Sequence, residues 1–438
     1  MNLPEEFQAY TRTMMGQEGF ATFIEALQQE PPTSIRLNPA KALESAVPKQ
    51  PVTWCRRACF LDGRPNFTFD PLFHAGLYYV QESSSMFLDL VLRQHLTVSS
   101  PTGGKATGRR TEFGNGQEGA LTFLDLCAAP GGKSTLIFGA LPEGSMLVCN
   151  EPNRQRAQVL SENMQKWLLP TLDNDKNEPH TRCIVTNNLP ADFRKERLIF
   201  DAILCDVPCS GEGMFRKDPA AIGEWSATNV DKCARLQREI VSDAWHCLAP
   251  GGLFVYSTCT FNLHENEENI QWLIDELEAQ PLSVDIPAEW NITGSLLPSL
   301  DAPVYRFIPG FTPGEGLFMA VLRKKGEADG NHTKKTFDAL KAEKTRLNIL
   351  PHLFIKEVQE ALDAKAPMVD VSYPQAIAYL RREAITLPAE TPRGIVVIAY
   401  EGHPLGIAKN VGNRANNLYP KPWRILSTHT PETLPKII

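Results

Sequence analysis

Two cysteines stand at the ends of apolar runs. Cys209 lies in Asp206-Val-Pro-Cys-Ser-Gly211, after Phe200-Asp-Ala-Ile-Leu-Cys205, and Cys259 lies in Tyr256-Ser-Thr-Cys-Thr260, after Gly252-Leu-Phe-Val-Tyr256. Both runs read as buried strands, and a parallel sheet delivers the loops that follow to the edge where α/β proteins keep their ligands. Two thiols fifty residues apart in sequence would then face one crevice. A single cysteine at a strand end is ordinarily packing. Two at matching strand ends, one of them behind Asp-x-Pro, point to nucleophilic chemistry. Carbon 5 of cytosine is a poor nucleophile, but a thiolate adding to carbon 6 turns the ring into an enamine that can take a methyl group from a sulfonium donor. Such a reaction needs a thiolate, an acid that holds or protonates the ring, and a group that assists the final elimination. Asp206 is the candidate for the ring contact. One thiol attacks and the other assists release; the residues alone leave open which.

A second constellation is a binding loop. Leu124-Asp-Leu-Cys-Ala-Ala-Pro-Gly-Gly-Lys-Ser-Thr135 joins an apolar strand to a helix. Gly131 and Gly132 let the backbone approach a ligand, and the helix start beyond them favours an electronegative group. Gly132-Lys133-Ser134 ends like a nucleotide P-loop, but the first glycine of that pattern would fall on Cys127. The dinucleotide fingerprint is absent as well, which argues against an ATPase or a dehydrogenase. Glu151 closes the next strand in Cys149-Asn-Glu-Pro152, 18 residues past Lys133. An acid there is placed to take both hydroxyls of a ribose; the alternative is a charge set against the dipole of the following helix.

The elements that must position these residues alternate. Leu121–Leu126, Ser145–Cys149, Arg182–Thr186, Asp201–Cys205 and Leu253–Tyr256 read as strands. Helices are expected from Ser134, over Arg154–Leu168, over Val230–Leu248 and over His264–Leu277. The pattern predicts a parallel sheet covered on both faces. Tyr305–Ile308 and Gly316–Arg323 add a terminal antiparallel hairpin, which suits a methyltransferase sheet better than a nicotinamide-binding one. Upstream, Glu5–Gln29 has helical spacing, and Ser83, Ser84 and Ser85 are candidate N-caps. The stretches 99–119 and 171–181 are polar and irregular. Downstream, Lys335–Ala364 looks helical, and Gly394–Tyr400 with Gly402–Ala408 reads as two strands about a tight turn. Four regions follow: an N-terminal segment 1–95, a catalytic domain 96–325, a helical connection 326–375 and a small mixed α/β domain 376–438. In that last domain Arg393, Lys409, Arg414, Lys421, Arg424 and Lys436 accompany Tyr419 and Trp423, a mixture suited to phosphates and stacked bases.

Composition sets limits. The chain of 438 residues has a formal charge of −7, which counts against a non-specific nucleic-acid coat but allows a local basic face. Its apolar runs are too short for a membrane span, and its start lacks the basic and apolar pattern of a signal peptide, so a cytoplasmic protein is expected. Ten cysteines, all between Cys55 and Cys259, do not look like a disulfide framework. Cys55 and Cys59 lack a second pair at zinc-binding spacing, so no metal site is predicted.

Cys127-Ala-Ala-Pro-Gly-Gly-Lys133, Asp206-Val-Pro-Cys-Ser-Gly-Glu-Gly213 and Ser257-Thr-Cys259 resemble, in that order, the signature of the Nop/Sun family of RNA 5-methylcytosine methyltransferases. Arg36-x-Asn38, Gln81-Glu-Ser-Ser-Ser-Met86 and His264-Glu-Asn-Glu-Glu-Asn269 are similar to further motifs of that family. The resemblance implies S-adenosyl-L-methionine as cofactor, held by Cys127, Ala128, Ala129, Pro130, Gly131, Gly132, Lys133, Glu151 and Asp206. It adds a residue ending the third strand, placed at Asn188, where many relatives carry an acid. It implies catalytic roles for Cys259, Cys209, Asp206 and Lys133, with Cys259 attacking and Cys209 helping to break the bond to the product. DNA cytosine methyltransferases use the Pro-Cys thiol as nucleophile, so Cys259 argues for RNA and against DNA. Gly406, Lys409, Arg414, Asn417 and Tyr419-Pro-Lys-Pro-Trp-Arg424 are similar to the C-terminal extension of bacterial members that modify small-subunit ribosomal RNA, an extension resembling a PUA-type RNA-binding module. The expected function is cytosine-5 methylation of ribosomal RNA, with transfer RNA as the alternative substrate. A non-catalytic RNA-binding factor in ribosome assembly is the alternative of another class.

Overall fold

The structure, a computed structural model, describes residues 1–42, 50–96, 112–113, 117–170, 181–327, 331–429 and 437–438. The chain opens on α1 (Glu5–Leu27), the helix its spacing predicts, interrupted at Gly16, where φ is +74°. β1 (Thr33–Leu37), β2 (Ala58–Leu61) and β3 (Tyr78–Val80) pair antiparallel in the order β2-β1-β3. α2 (Pro71–His74) precedes β3 and α3 (Leu88–His95) follows it. The three serines before α3 do not cap a helix. Glu82 does so instead, accepting from the backbone N–H of Ser84 (3.0 Å) and Ser85 (2.9 Å), while the Ser83 and Ser85 hydroxyls turn to the carbonyls of Pro313 and Glu82. β4 (Glu112–Phe113) and β5 (Gln117–Glu118) form a short ladder inside the stretch expected to be irregular. The rest of that stretch up to 116, from residue 99, and residues 171–180 lie outside the described residues.

The strand–helix alternation folds as the sequence predicts. β6 (Thr122–Asp125), β7 (Met146–Asn150), β8 (Arg182–Thr186), β9 (Phe200–Asp206) and β10 (Leu248–Thr258) lie parallel in the order β10-β9-β6-β7-β8. Between them run α4 (Gly132–Ala140), α5 (Arg154–Leu168), α6 (Pro190–Lys195), α7 (Pro219–Glu224) and α8 (Ala227–His246). Successive residues of one strand point to opposite faces. Phe123, Leu147, Leu204 and Val255 accordingly enter one apolar cluster, and Leu124, Val148, Ile203 and Phe254 another. All eight are fully buried, as a sheet covered on both faces requires. After α9 (Glu267–Leu277) come β11 (Gln280–Pro281), β12 (Tyr305–Phe307) and β13 (Leu317–Arg323). β13 runs antiparallel to β10, and both β11 and β12 pair with it, so the expected hairpin is present. From β6 the chain steps out through β7 and β8, then returns to the other side as β9 and β10. The crevice beyond the carboxyl ends of β6 and β9 is therefore the switch point where such sheets bind ligands.

Residues 335–364 are not one helical run. α10 (Asn331–Lys341) ends, β14 (Ile349–Leu350) pairs antiparallel with β8 as the last strand of the main sheet, and α11 (Leu353–Asp363) begins after Pro351. That proline has no N–H for a continuing helix. β15 (Met368–Asp370), α12 (Tyr373–Leu380), β16 (Gly394–Tyr400), β17 (His403–Asn410) and β18 (Ala415–Asn417) complete the chain, with the strands in the order β15-β16-β17-β18. The small sheet thus recruits Met368–Asp370, upstream of the boundary read at 376. Its core is continuous with the N-terminal one: Ile35, Leu37, Phe69 and Tyr78 share a cluster with Phe354, Tyr379, Val397 and Tyr419.

The aromatic reading of the tail needs correction. Tyr419 is 1% exposed and packs edge-on against Phe354, Tyr379 and Trp423, so its ring is closed to a base. Trp423 is half-buried against Phe354, with the Lys166 ammonium 5.7 Å from its ring centre. Tyr419 serves the packing of the tail, whereas Trp423 keeps part of its surface open. Arg393, Lys409, Arg414, Lys421 and Arg424 remain exposed, and Lys436 lies outside the described residues.

Candidate active site

β9 and β10 are in register with Ser257 opposite Asp206, so the loops leaving them run side by side. Cys209 Sγ stands 3.1 Å from Cys259 Sγ, and both residues are half-buried. Hydrogen bonds lock the two loops together. Val207 N–H donates to the Ser257 carbonyl (3.0 Å) and Gly213 N–H to the Cys259 carbonyl (2.7 Å). Two buried carboxylates cross between the loops in opposite senses. Glu212, from the Cys209 loop, accepts from the N–H groups of Phe261 (2.6 Å) and Asn262 (3.0 Å). Glu265, from the Cys259 loop, accepts from the Ser210 N–H (3.0 Å) and from Gln237 Nε2 (2.7 Å). Behind them Arg306 and Glu267 form a fully buried ion pair, and Arg306 Nη1 also donates to the Phe261 carbonyl (2.7 Å). The thiol separation is set by this lattice rather than by the cysteines' own contacts.

A hydrogen bond to Cys259, followed by burial and the Glu265 carboxylate, pushes the Cys209 thiol well above the usual cysteine range. Cys209 is therefore held as a thiol that can donate towards Cys259. Asp206 accepts from Lys133 Nζ (2.8 Å) and from Ser257 Oγ (2.6 Å), and its side chain keeps 31% exposure. Burial works against the Lys133 charge, but Asp206 outweighs it, helped by Asp125 and Cys259, and holds the ammonium above the ordinary lysine range.

The glycine loop leaves β6 and wraps onto α5 and the N-terminal segment. Gly131 adopts φ +113°, closed to other residues without strain, and a Cβ there would stand 3.3 Å from Leu160. A Cβ on Gly132 would meet Tyr79 at 3.4 Å and Gln81 at 3.5 Å. On the side where a Cβ would stand, both glycines face packed protein. The Pro130 carbonyl accepts from Tyr79 (3.1 Å) and Asn163 (2.8 Å), and the Ala129 carbonyl accepts from Arg156 (2.9 Å). Ala128 N–H donates to the Asn150 carbonyl (2.8 Å), tying the loop to β7. Arg36 braces it, donating to the Gly132 carbonyl (3.2 Å) and the Thr135 hydroxyl (2.5 Å), while Asn38 reaches the Trp167 carbonyl at the end of α5 (3.0 Å). Burial, with the Glu151, Asp125 and Asp206 carboxylates, pushes the Cys127 thiol above the usual range, so it does not compete as a nucleophile.

Two buried acceptors at neighbouring strand ends lack hydrogen-bond partners. One is Glu151 Oε2; Oε1 of the same group accepts from Asn153 N–H (2.9 Å), and Arg156 Nη1 lies 3.6 Å from Oε2. The other is Asp125 Oδ1, whose Oδ2 accepts from Ser134 (2.6 Å); burial raises this carboxyl to about 7. Such atoms fit a ligand carrying hydroxyl or ammonium donors. Asn188 departs from expectation, because its Oδ1 already accepts from the Asn348 N–H (3.0 Å), leaving less of that carbonyl for an adenine amine. Asp125, Glu212, Glu265 and Arg306 were not singled out by sequence reasoning. Asp125 and Glu212 lie inside the quoted motifs, whereas Arg306 gives no local signal.

The comparisons with known proteins follow the same division. The family model described as 16S rRNA methyltransferase RsmB/F matches residues 115–323, that of the N-terminal domain of 16S rRNA methyltransferase RsmF matches 3–83, and that of the methyltransferase RsmF PUA domain matches 366–425. The chain belongs to the RsmB/F methyltransferase family. Among its relatives, ribosomal RNA small subunit methyltransferase F of Pectobacterium atrosepticum is 32% identical over 351 residues, covering 74% of this chain and 63% of the relative. The protein of the same name from Enterobacter sp. (strain 638) is 28% identical over 503 residues and covers 95% of both. The alignment with the Pectobacterium relative thus spans under two thirds of that protein's length. A methyltransferase homologue from Pyrococcus horikoshii shares the fold with a TM-score of 0.57 at 21% identity, covering 73% of this chain and 95% of its own. NSun6 from the same organism, solved with SFG, has a TM-score of 0.54 at 18% identity, covering 74% and 99%. Among the described residues no helix is long and apolar enough to cross a membrane.

Proposed function

We propose that this chain is an S-adenosylmethionine-dependent RNA cytosine-5 methyltransferase that acts on small-subunit ribosomal RNA in the cytoplasm. The observation that carries the reaction type is the pair of thiols 3.1 Å apart, one of them held protonated, beside the Lys133–Asp206 ion pair. The choice of RNA comes from what the relatives are named for. When bound, S-adenosylmethionine supplies the electrophilic methyl group. Glu151 Oε2 is available to the ribose hydroxyls and Asp125 Oδ1 to an ammonium donor, while the Cys127–Lys133 backbone and Asn188 complete the candidate pocket.

Cys259, as thiolate, adds to carbon 6 of an unstacked cytosine, because that atom is out of reach inside a helix. Asp206 is steadied by Ser257 and Lys133 for contact with the ring, and the ammonium offsets negative charge as the ring is attacked. After carbon 5 is methylated, a water molecule takes its proton, the freed electron pair restores the 5,6 double bond, and Cys259 leaves carbon 6 as thiolate. Cys209 is the donor beside the departing sulfur and returns a proton to it.

Purified Cys259→Ala and Cys209→Ala proteins, incubated with S-adenosylmethionine and small-subunit RNA, test this division by denaturing gel mobility. Cys209→Ala should accumulate a covalent RNA adduct and Cys259→Ala should form none. An adduct from Cys259→Ala alone reverses the roles. Methyl transfer to bulk transfer RNA but not to ribosomal RNA replaces the substrate, and RNA binding without transfer to either leaves an assembly factor.

A further inference from the structure

A cleft of about 500 Å³ lies between the β1–β2 connection, α3 and the second half of α4, apart from the thiols. Among the described residues, four guanidinium groups line it, those of Arg36, Arg56, Arg57 and Arg93, against the single carboxylate of Asp89. Two of the four are committed to the protein. Arg36 donates to Gln81 Oε1 (2.8 Å) and Thr135, and Arg93 pairs with Asp89 (2.9 Å) and donates to the Trp54 carbonyl (3.1 Å). Asp89 is thus already neutralised. Arg56 is exposed, and half-buried Arg57 makes one long bond, 3.4 Å, to the Ala42 carbonyl; among the described residues neither has an ion pair.

An excess of positive charge in a concavity, on a chain of net charge −7, concentrates the local field where a polyanion can be admitted. Guanidinium forks match phosphate oxygens. The remaining described lining is aliphatic apart from Gln94, Cys55 and the α4 backbone, with no aromatic ring among those residues to stack a base, which favours grip on a backbone over recognition of a nucleoside. The cleft touches α4 at Leu136, Gly139 and Ala140, and Ala140 lies about 12 Å along the helix axis from Gly132 at the glycine loop. We infer that this cleft, through Arg56 and Arg57, holds a backbone phosphate of the RNA substrate outside the methyl-transfer site. The inference rests on RNA being the substrate.

The full-length Arg56→Ala/Arg57→Ala variant tests it, with RNA binding measured by fluorescence anisotropy across a salt series and methyl transfer measured alongside. The slope of log affinity against log salt should become shallower by about 0.7 to 0.9, the contribution of one phosphate contact. KM for RNA should rise several-fold while kcat and affinity for S-adenosylmethionine hold. Equal slopes and equal KM overturn the inference even if the wild type methylates RNA normally. If the wild type methylates nothing but the slope still differs, the proposed activity fails and the cleft stands. Should inorganic pyrophosphate raise the melting temperature of the wild type but not of the variant, with the RNA slope unchanged, the cleft serves a free phosphate and the inference is wrong.

Discussion

Gly213→Ala isolates how closely the two cysteine loops are fitted. A Cβ at this position would stand 2.5 Å from the Cys259 carbonyl oxygen, where ordinary contact begins at 3.4 Å, and 3.4 Å from the Glu315 carbonyl oxygen. Both neighbours are backbone atoms, so no side chain can swing away. The loops must separate by about 0.9 Å, and the Gly213 N–H to Cys259 carbonyl bond (2.7 Å) stretches or breaks with them. Overpacking of this kind costs about 1–3 kcal/mol of stability. The larger effect falls on rate: a displacement near 1 Å at a reacting group lowers it by about 100-fold. Methyl transfer under saturating S-adenosylmethionine, with thermal melting run in parallel, should give kcat reduced by about that factor in a folded protein. Gly211→Ala is the comparison. Gly211 sits at φ +78° with open space where its Cβ would be, so alanine there carries about 1 kcal/mol of backbone strain without pressing on Cys259. If Gly213→Ala keeps kcat within about threefold of wild type, the thiol geometry is not set by this contact.

Arg306→Met leaves Glu267 buried and unpaired, and urea unfolding should show a loss of about 3–5 kcal/mol, largely recovered in Arg306→Met/Glu267→Leu; a single variant as stable as wild type refutes the pairing. Asp125 is raised to about 7 by burial, above the unfolded value of about 3.9, so between those limits the folded chain holds a proton that the unfolded chain has lost. Stability without ligand should therefore fall as pH rises from about 4 to about 7, and Asp125→Asn should remove that component. Melting curves across this range that keep the same slope in the variant count against it.

The parallel sheet was legible because its strands are buried on both faces and read as unbroken apolar runs between helices. The chemistry was legible because Cys209, Cys259, Asp206 and Lys133 sit in compact motifs at strand ends. What escaped depends on partners distant in sequence. Two-residue β14 exists only because β8 offers an open edge, a feature that no window of composition contains. The ring of Tyr419 has the same surroundings in sequence whether it faces RNA or Phe354, and only the fold decides. Glu82 caps Ser84 and Ser85 where three serines suggested themselves, because its longer side chain reaches two N–H groups at once.

The buried carboxylates connect fold to mechanism. Taking Glu212 and Glu265 out of water is costly unless their oxygens are satisfied, and each meets that cost with N–H donors from the opposite loop. Breaking either brace would strand a charge, so the loops hold one separation. Glu265 has a second effect, since its negative charge is among the groups that keep Cys209 protonated. One of the two braces thus also acts on the protonation of a thiol whose position it helps to fix. A pair serving only as packing would need the distance but not a held proton, and it is the proton held on Cys209 that favours a reaction with one attacking and one returning thiol.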